Sequence, residues 1–181
     1  MVYVHLADGF EEIEAITVVD VLRRADIAVK TVSMTGEKMV RGAHDIRVET
    51  DLLFQDADYG KCEMIVLPGG MPGTANLAKH EGLRKQLNAF AQSGKWLAAI
   101  CAAPSILGGM SLLKGRRATS YPGFENHMTG AVYTEDRVVV RDGKFITSRG
   151  PGTAIDFSLE LVKVLKNEQT AAGLRKAMIV L

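Results

Sequence analysis

The chain has 181 residues, 47% hydrophobic and 24% charged, and 22 basic against 21 acidic residues leave a formal net charge of +1. This length suits a single domain, 1–181, with its own core, and the balanced charge favours neither nucleic acid nor an anionic membrane as a partner. Two cysteines are too few for a disulfide framework. The longest apolar runs are too short to span a bilayer, and the start of the sequence lacks a basic, cleavable leader. We therefore expect a cytoplasmic protein.

The first half of the chain alternates strand and helix patterns. Val2–Leu6 is a β-branched run typical of a buried strand. Apolar residues at helical spacing predict a helix over Glu11–Ala25, with acidic residues in its first turn. Ile27–Met34 is a second predicted strand, and two extended runs within Met39–Thr50 predict a hairpin that turns at 42–45.

The second half continues the alternation. The predicted strands are Met64–Leu67, which ends at Pro68-Gly69-Gly70, and Lys95–Ile100, together with a hairpin of Val138–Val140 and Phe145–Thr147 about an Asp-Gly turn. The predicted helices are Asn76–Ser93 in one or two pieces, Ala102–Leu107, and a helix that starts with Gly150-Pro-Gly-Thr153 and runs to about Lys166. Gln169–Leu181 is expected to form a short helix and a last apolar run.

This alternation predicts an α/β fold, with a mostly parallel sheet and helices on both faces. In such sheets ligands bind beyond the carboxyl ends of the strands. Three segments that can carry chemistry follow predicted strands: Asp8–Glu14, Pro68–Gly70 and Cys101–Ala103. We therefore expect these three segments to form the functional site.

Cys101 lies where an apolar strand breaks sharply into a helix-compatible segment. Hydrolases place a nucleophilic serine in the same strand–turn–helix geometry. The positive end of a following helix would favour thiolate over thiol, so Cys101 is a candidate nucleophile with a lowered pKa. The alternative is a buried cysteine that packs as a small hydrophobic residue. Glu14 is either an exposed acid in the first turn of a helix or a partner of the cysteine.

Four motifs together resemble the ThiJ/PfpI superfamily, in the branch of the Parkinsonism-associated protein deglycase. They are Asp8-Gly-Phe-Glu-Glu-Ile-Glu14, Val66-Leu-Pro-Gly-Gly70, Ala98-Ala-Ile-Cys-Ala-Ala-Pro104 and Thr147-Ser-Arg-Gly-Pro-Gly-Thr153. Their order and spacing match over nearly the whole chain. The resemblance implies a flavodoxin-like three-layer sandwich and a homodimer.

The resemblance also implies roles for individual residues. Cys101 matches the reactive cysteine of the family, and Glu14 matches the acid beside its sulfur, which should stay protonated when buried near a thiolate. The amides of Gly70 and Ala102, with Gly69 before them, match an oxyanion pocket, although Gly69 and Gly70 can also form only a tight turn.

Three further positions come from the same resemblance. Arg149 and Pro151 match the segment that lines this pocket and the dimer contact. Ala102 replaces the histidine that follows the cysteine in the family's proteases, and His127 is the nearest histidine to the later loop position that carries one in the deglycase branch.

The function implied is a glyoxalase or deglycase that acts on methylglyoxal-type carbonyls, or on early glycation adducts of amines and thiols. One alternative is a redox-sensing stress-response protein or chaperone that works through oxidation of Cys101, and another is an intracellular cysteine protease. His5 falls within a predicted strand, and His44, His80 and His127 are isolated in sequence. The segment 69–73 lacks the lysine of a phosphate loop, so we expect neither a metal nor a cofactor.

Overall fold

The computed structural model describes residues 1–180 of the chain. The strands are β1 (Val2–Leu6), β2 (Val29–Ser33), β3 (Met39–Arg41), β4 (Arg47–Glu49), β5 (Leu52–Leu53), β6 (Met64–Leu67), β7 (Trp96–Ile100), β8 (Arg117–Ala118), β9 (Val132–Tyr133), β10 (Val139–Asp142) and β11 (Phe145–Ser148). The helices are α1 (Glu12–Arg24), α2 (Gly73–Lys79), α3 (Glu81–Ser93), α4 (Pro104–Gly109), α5 (Ala154–Leu165) and α6 (Glu168–Ala177).

Seven of the strands form the central sheet, in the order β10-β11-β7-β6-β1-β2-β5. All neighbouring pairs are parallel except the edge strand β10, which is antiparallel to β11. The predicted fold class is therefore confirmed, and the antiparallel edge comes from the predicted Asp-Gly hairpin, whose tight turn cannot join parallel strands.

Both faces of the sheet are covered, as β1 illustrates. Val2, Val4 and Leu6 point into a core cluster that also contains Phe157 of α5. Tyr3 points the other way, into a second cluster that contains residues of α3 and α4. Because successive side chains of a strand face opposite sides, a strand buried on both faces appears in the sequence as a continuous apolar run. The result is a three-layer sandwich.

Most predicted elements are confirmed, and the differences have simple causes. The helical stretch is two helices, α2 and α3, separated at His80, and it starts earlier, at Gly73. Helix α4 begins at Pro104 rather than at Ala102, because residues 101–103 form a turn and proline suits the first helical position. Strands β5, β8 and β9 have two residues each and were not predicted, since such short segments carry no periodic pattern.

The end of the chain contains the expected short helix, α6. The apolar run that follows it forms no strand over 178–180, and the side chain of Ile179 is 83% exposed. Leu181, the final residue of that run, lies outside the described residues. Within 1–180, every helix is too short or too polar to cross a bilayer.

Candidate active site

The site forms at the carboxyl ends of three adjacent strands. From β1 the chain moves to β2 on one side and later to β6 on the other. Such a reversal opens a crevice between the loops that leave the two strands. The loop after β1 leads to Glu14 on α1, the loop after β6 contains Gly69 and Gly70, and β7 ends at Cys101. The three predicted segments therefore meet at one edge of the sheet.

Cys101 adopts an unusual backbone conformation at the end of β7. Its φ of 64° lies in the left-handed region, which costs a non-glycine residue roughly 1–3 kcal/mol. The neighbouring segments hold it there, because its N–H donates to the Ser148 carbonyl at 3.0 Å and its own carbonyl accepts from the Tyr121 N–H at 2.7 Å. The amides of Gly70 and Ala102 lie near enough to its sulfur to lower the pKa of the thiol. The strained turn thus places the thiol close to two backbone N–H groups.

Glu14 lies beside this thiol and is fully buried, although it belongs to the first turn of α1. Its Oε2 accepts a hydrogen bond from the Gly69 N–H at 2.7 Å, and the Cys101 side chain lies near enough to act on its pKa. Its other oxygen, Oε1, is buried with no hydrogen-bond partner within residues 1–180. A buried oxygen without a donor disfavours the charged carboxylate.

Gly69 separates the two side chains and leaves no room for one of its own. A methyl group on its α-carbon would lie 2.6 Å from Cys101 Cβ, 2.9 Å from Glu14 Oε2 and 3.0 Å from Cys101 Sγ. Gly70 adopts φ 88°, and a methyl group there would meet the backbone of Glu11 at 2.4 Å. Only glycines let this backbone approach both the sulfur and the carboxyl group.

The pKa of Glu14 is raised to about 7, as predicted. Burial is the main cause, and the nearby charge of Glu11 adds to it, while the Gly69 amide and the Cys101 side chain act in the opposite direction. A carboxyl group with such a pKa can both hold and release a proton near neutrality, as general acid–base catalysis requires.

The prediction of a lowered pKa for the Cys101 thiol is wrong. Burial and then the negative charge of Glu14 raise this pKa, and the amides of Gly70 and Ala102 offset the rise only in part. Helix α4 begins three residues after the cysteine and has only six residues, so its dipole does not dominate. A thiolate at this position requires that Glu14 hold the proton.

The remaining predicted residues lie in three different settings. Pro151 begins a 3-10 turn directly after the segment that hydrogen-bonds to Cys101. Arg149, in that segment, directs its Nη1 to the Glu135 carbonyl at 2.7 Å. His127 is exposed, with its ring 6.0 Å from that of Phe124, and within residues 1–180 it makes no hydrogen bond to Cys101 or Glu14.

Glu11, Glu12 and His44 form a grouping that the linear sequence did not indicate. Their donor atoms lie within 4.8 Å of one another, a spacing that could hold a metal ion. Glu12 is already engaged, however, because its Oε1 accepts from the His44 N–H at 2.7 Å and its Oε2 lies 2.8 Å from His44 Nδ1. The grouping thereby ties the β3–β4 hairpin to α1. The signal in the sequence that could have pointed to this grouping is the run of three acids within the four residues 11–14, after the first strand.

Fold and site together define an α/β sandwich protein with a cysteine–glutamate pair at the switch point of its sheet. The chain belongs to the DJ-1/PfpI family, which residues 1–164 match.

Individual relatives and structures agree with this assignment. The chain is 34% identical over 170 residues to the Caenorhabditis elegans protein named glutathione-independent glyoxalase DJR-1.2, covering 93% of this chain and 89% of that one. It is 37% identical over 180 residues to Arabidopsis thaliana DJ-1 homolog B, covering 99% of this chain but 41% of that one, so it spans less than half of that relative. The Drosophila melanogaster DJ-1beta crystal structure superimposes with a TM-score of 0.95 at 34% identity, covering 99% of this chain and 97% of that chain.

Proposed function

We propose that the protein is a cofactor-independent glyoxalase, with related deglycase activity, that acts on methylglyoxal-type carbonyls through Cys101 and Glu14. The observation that carries this proposal is the fully buried Glu14 carboxyl group, with its raised pKa, beside a thiol that lies near the Gly70 and Ala102 amides. The name of the C. elegans relative supports the same activity.

The first step of the proposed reaction is addition of sulfur to the aldehyde. The thiol proton moves to Glu14, which leaves a thiolate and a neutral carboxylic acid. The thiolate attacks the aldehyde carbon of methylglyoxal, a carbon–sulfur bond forms, and the carbonyl electron pair becomes a hemithioacetal oxyanion. The amides of Gly70 and Ala102, which lie near the sulfur in the free protein, can stabilise this oxygen.

The second step moves a proton between neighbouring carbons. The oxyanion takes up the proton that Glu14 holds, and the resulting carboxylate then removes the proton from the former aldehyde carbon, giving an enediolate whose charge rests on the former ketone oxygen. Glu14 returns that proton to the adjacent carbon, the hydroxyl proton of the former aldehyde carbon passes to the former ketone oxygen, and the product is a lactate thioester of Cys101. Water hydrolyses the thioester, which releases lactate and restores the thiol, so no net oxidation occurs. Carboxyl groups near their pKa suit this two-way transfer.

Glycated amines and thiols fit the same chemistry. Their early adducts are hemiaminals and hemithioacetals of the same carbonyl, and attack of Cys101 on the carbonyl that they release would enter the reaction at its first step. We propose early adducts as alternative substrates for this reason.

Lactate formation tests the proposal. Purified wild-type protein is expected to convert methylglyoxal to lactate without glutathione or any added cofactor, as followed by proton NMR. A lactate yield equal to that of heat-denatured protein would reject the proposed activity.

A second candidate function, redox sensing, is favoured by the contrast between the two free thiols. Cys101 is partly accessible, whereas Cys62 is 1% exposed and donates to the Met64 carbonyl at 3.1 Å. Peroxide would convert the Cys101 thiol to sulfenic and then sulfinic acid, with one water released for each oxygen gained.

Graded peroxide with intact-mass analysis and peptide mapping tests this candidate. We expect two oxygens on Cys101 before Cys62 is modified. Oxidation of both cysteines at equal peroxide doses would rule out a selective sensor.

Proteolysis is less well supported, because Ala102 follows the cysteine and no imidazole of residues 1–180 is hydrogen-bonded to it.

We further propose a cytoplasmic homodimer. Two free cysteines suit a reducing compartment. Ile13 and Ile16 on α1, with Ile46 in the adjacent hairpin, are 56%, 43% and 55% exposed. The hairpin is joined to the segment before α1 by the Phe10–Gly42 bridge, so these exposed side chains lie on neighbouring elements. We propose that they form one apolar patch, and such patches mark interfaces.

Sedimentation velocity tests the dimer. The Ile16→Lys variant is expected to sediment as a monomer, and Ile179→Lys, which changes an exposed isoleucine outside the patch, is expected to remain dimeric. A wild-type monomer, or an unchanged Ile16→Lys variant, would contradict this interface.

A further inference from the structure

A cavity of about 310 Å³ opens beside the edge strand of the sheet. Val139, Val140 and Arg141 of β10 line one side, Arg117 of β8 lines another, and Thr134 and Arg137 come from the segment after β9. Neither Cys101 nor Glu14 lines it. This cavity, called here the arginine cavity, therefore has no part in the reaction proposed above.

The lining of the arginine cavity carries an excess of positive charge. It contains three guanidinium groups and one carboxylate, that of Asp136. Arg137 Nε lies 3.7 Å from Asp136, with both side chains more than 70% exposed, so this contact is loose. Arg141 is paired with Glu160, outside the lining, at 3.1 Å.

Arg117 is the group without a partner. Its backbone N–H donates to Asp142, but no acid of residues 1–180 lies within ion-pair distance of its guanidinium, and Asp142 is turned toward Arg116 at 3.6 Å. A guanidinium without a carboxylate can present its planar donors to an oxyanion in a bidentate manner.

Thr134 supplies a second group without a partner. Its Oγ1 is buried and lacks a hydrogen-bond partner within residues 1–180, which is costly for a hydroxyl group. The backbone around it is well held, because the Thr134 N–H donates to the Ala118 carbonyl at 2.9 Å and Arg149 binds the next carbonyl, that of Glu135. The hydroxyl is buried as it stands, so the side chain must rotate about χ1 to donate to an oxygen bound in the cavity.

From these contacts we propose that the arginine cavity binds the phosphoryl group of a small phosphate ester. A carboxylate has two oxygens, fewer than the Arg117 and Arg137 guanidiniums and the Thr134 hydroxyl can engage together. A phosphate monoester offers three terminal oxygens and up to two negative charges, which matches the net charge of the lining. The volume, near the lower limit for ligand pockets, suits a small molecule rather than a polymer segment.

Isothermal titration with phenyl phosphate at low ionic strength tests the proposal. The wild-type protein is expected to bind phenyl phosphate, inorganic phosphate is expected to compete for the site, and benzoate is expected to bind at least about tenfold more weakly. Arg117→Gln should weaken phenyl phosphate binding by about tenfold or more, because it removes a charge-assisted contact. Thr134→Val should weaken it by a smaller factor.

Arg84→Gln is the matched control, because Arg84 is an exposed arginine of α3 outside the cavity. It should bind phenyl phosphate as the wild type does, and circular dichroism should show all variants folded. The proposal is overturned if wild-type protein gives no heat at millimolar phenyl phosphate, if inorganic phosphate fails to compete, or if Arg117→Gln and Arg84→Gln bind alike. A Cys101→Ser variant should retain phosphate binding, so failure of the glyoxalase proposal would leave this one standing.

Discussion

Replacement of Cys101 by serine should reduce the rate of lactate formation from methylglyoxal by at least about a thousandfold. The serine hydroxyl preserves the shape of the side chain but ionises far less readily than a thiol, so the proton cannot pass to Glu14 before attack. The strained φ of 64° and the backbone hydrogen bonds to Ser148 and Tyr121 do not depend on sulfur. The variant should therefore fold, and the loss should appear in kcat rather than in stability.

Cys62→Ser is the control for this experiment. Cys62 is the only other cysteine of the sequence and lies buried two residues before β6, hydrogen-bonded to the Met64 carbonyl. Its replacement should leave kcat within about twofold of wild type, because it is not part of the cysteine–glutamate pair. If Cys101→Ser retained wild-type kcat, the covalent step proposed here would be wrong.

Replacement of Glu14 by glutamine should have two opposite effects. It should lower kcat by roughly a hundredfold or more, because an amide cannot exchange a proton between the two carbons. It should also raise the stability of the folded protein at neutral and alkaline pH relative to wild type. The amide oxygen can still accept the hydrogen bond from Gly69, so the packing of the site should survive.

The stability effect follows from the raised pKa of Glu14. In the folded protein this carboxyl group ionises at about 7, against an ordinary value of 4.5. Between these values the folded state binds more protons than the unfolded state, so stability falls as pH rises through this window and is level above it. Across this window the free energy of unfolding of the wild type falls by about 3 kcal/mol. A glutamine at position 14 does not titrate, so the variant should not lose this stability.

Urea denaturation of both proteins at about pH 4 and about pH 8 measures this difference. The free energy of unfolding of Glu14→Gln minus that of wild type should be larger at the higher pH, and subtraction cancels the titration of all other groups. If this difference is the same at both pH values, the pKa of Glu14 is not raised in the folded protein. The proton transfer proposed for catalysis would then lose its basis.

The central architecture could be predicted because its signals are local. Strands such as β1 and β6 are continuous apolar runs, the Asp-Gly turn specifies the β10–β11 hairpin, and α1 shows helical spacing. The short strands β5, β8 and β9 could not be predicted, since they exist only through pairing with distant residues.

The chemistry of the site depends on contacts that no local pattern contains. The strand-to-helix break marked Cys101, and the family motifs marked Glu14, but helix position alone suggested a lowered pKa for the thiol. Burial beside a second acid raises it instead. The same holds for two other groupings, which join residues that are separated in the chain. Glu12 is linked to His44, and Arg117 meets Thr134 and Arg137 at one cavity.

The amino-acid sequence by itself determined the layered α/β fold, the family and the two residues of the central pair, because these follow from periodicity and from motifs of a few neighbouring residues. Only the tertiary structure decided how those residues ionise and which distant side chains meet. Protonation is set by the water excluded and the charges brought near when β1, β6 and β7 align, and that environment forms only when the chain is folded.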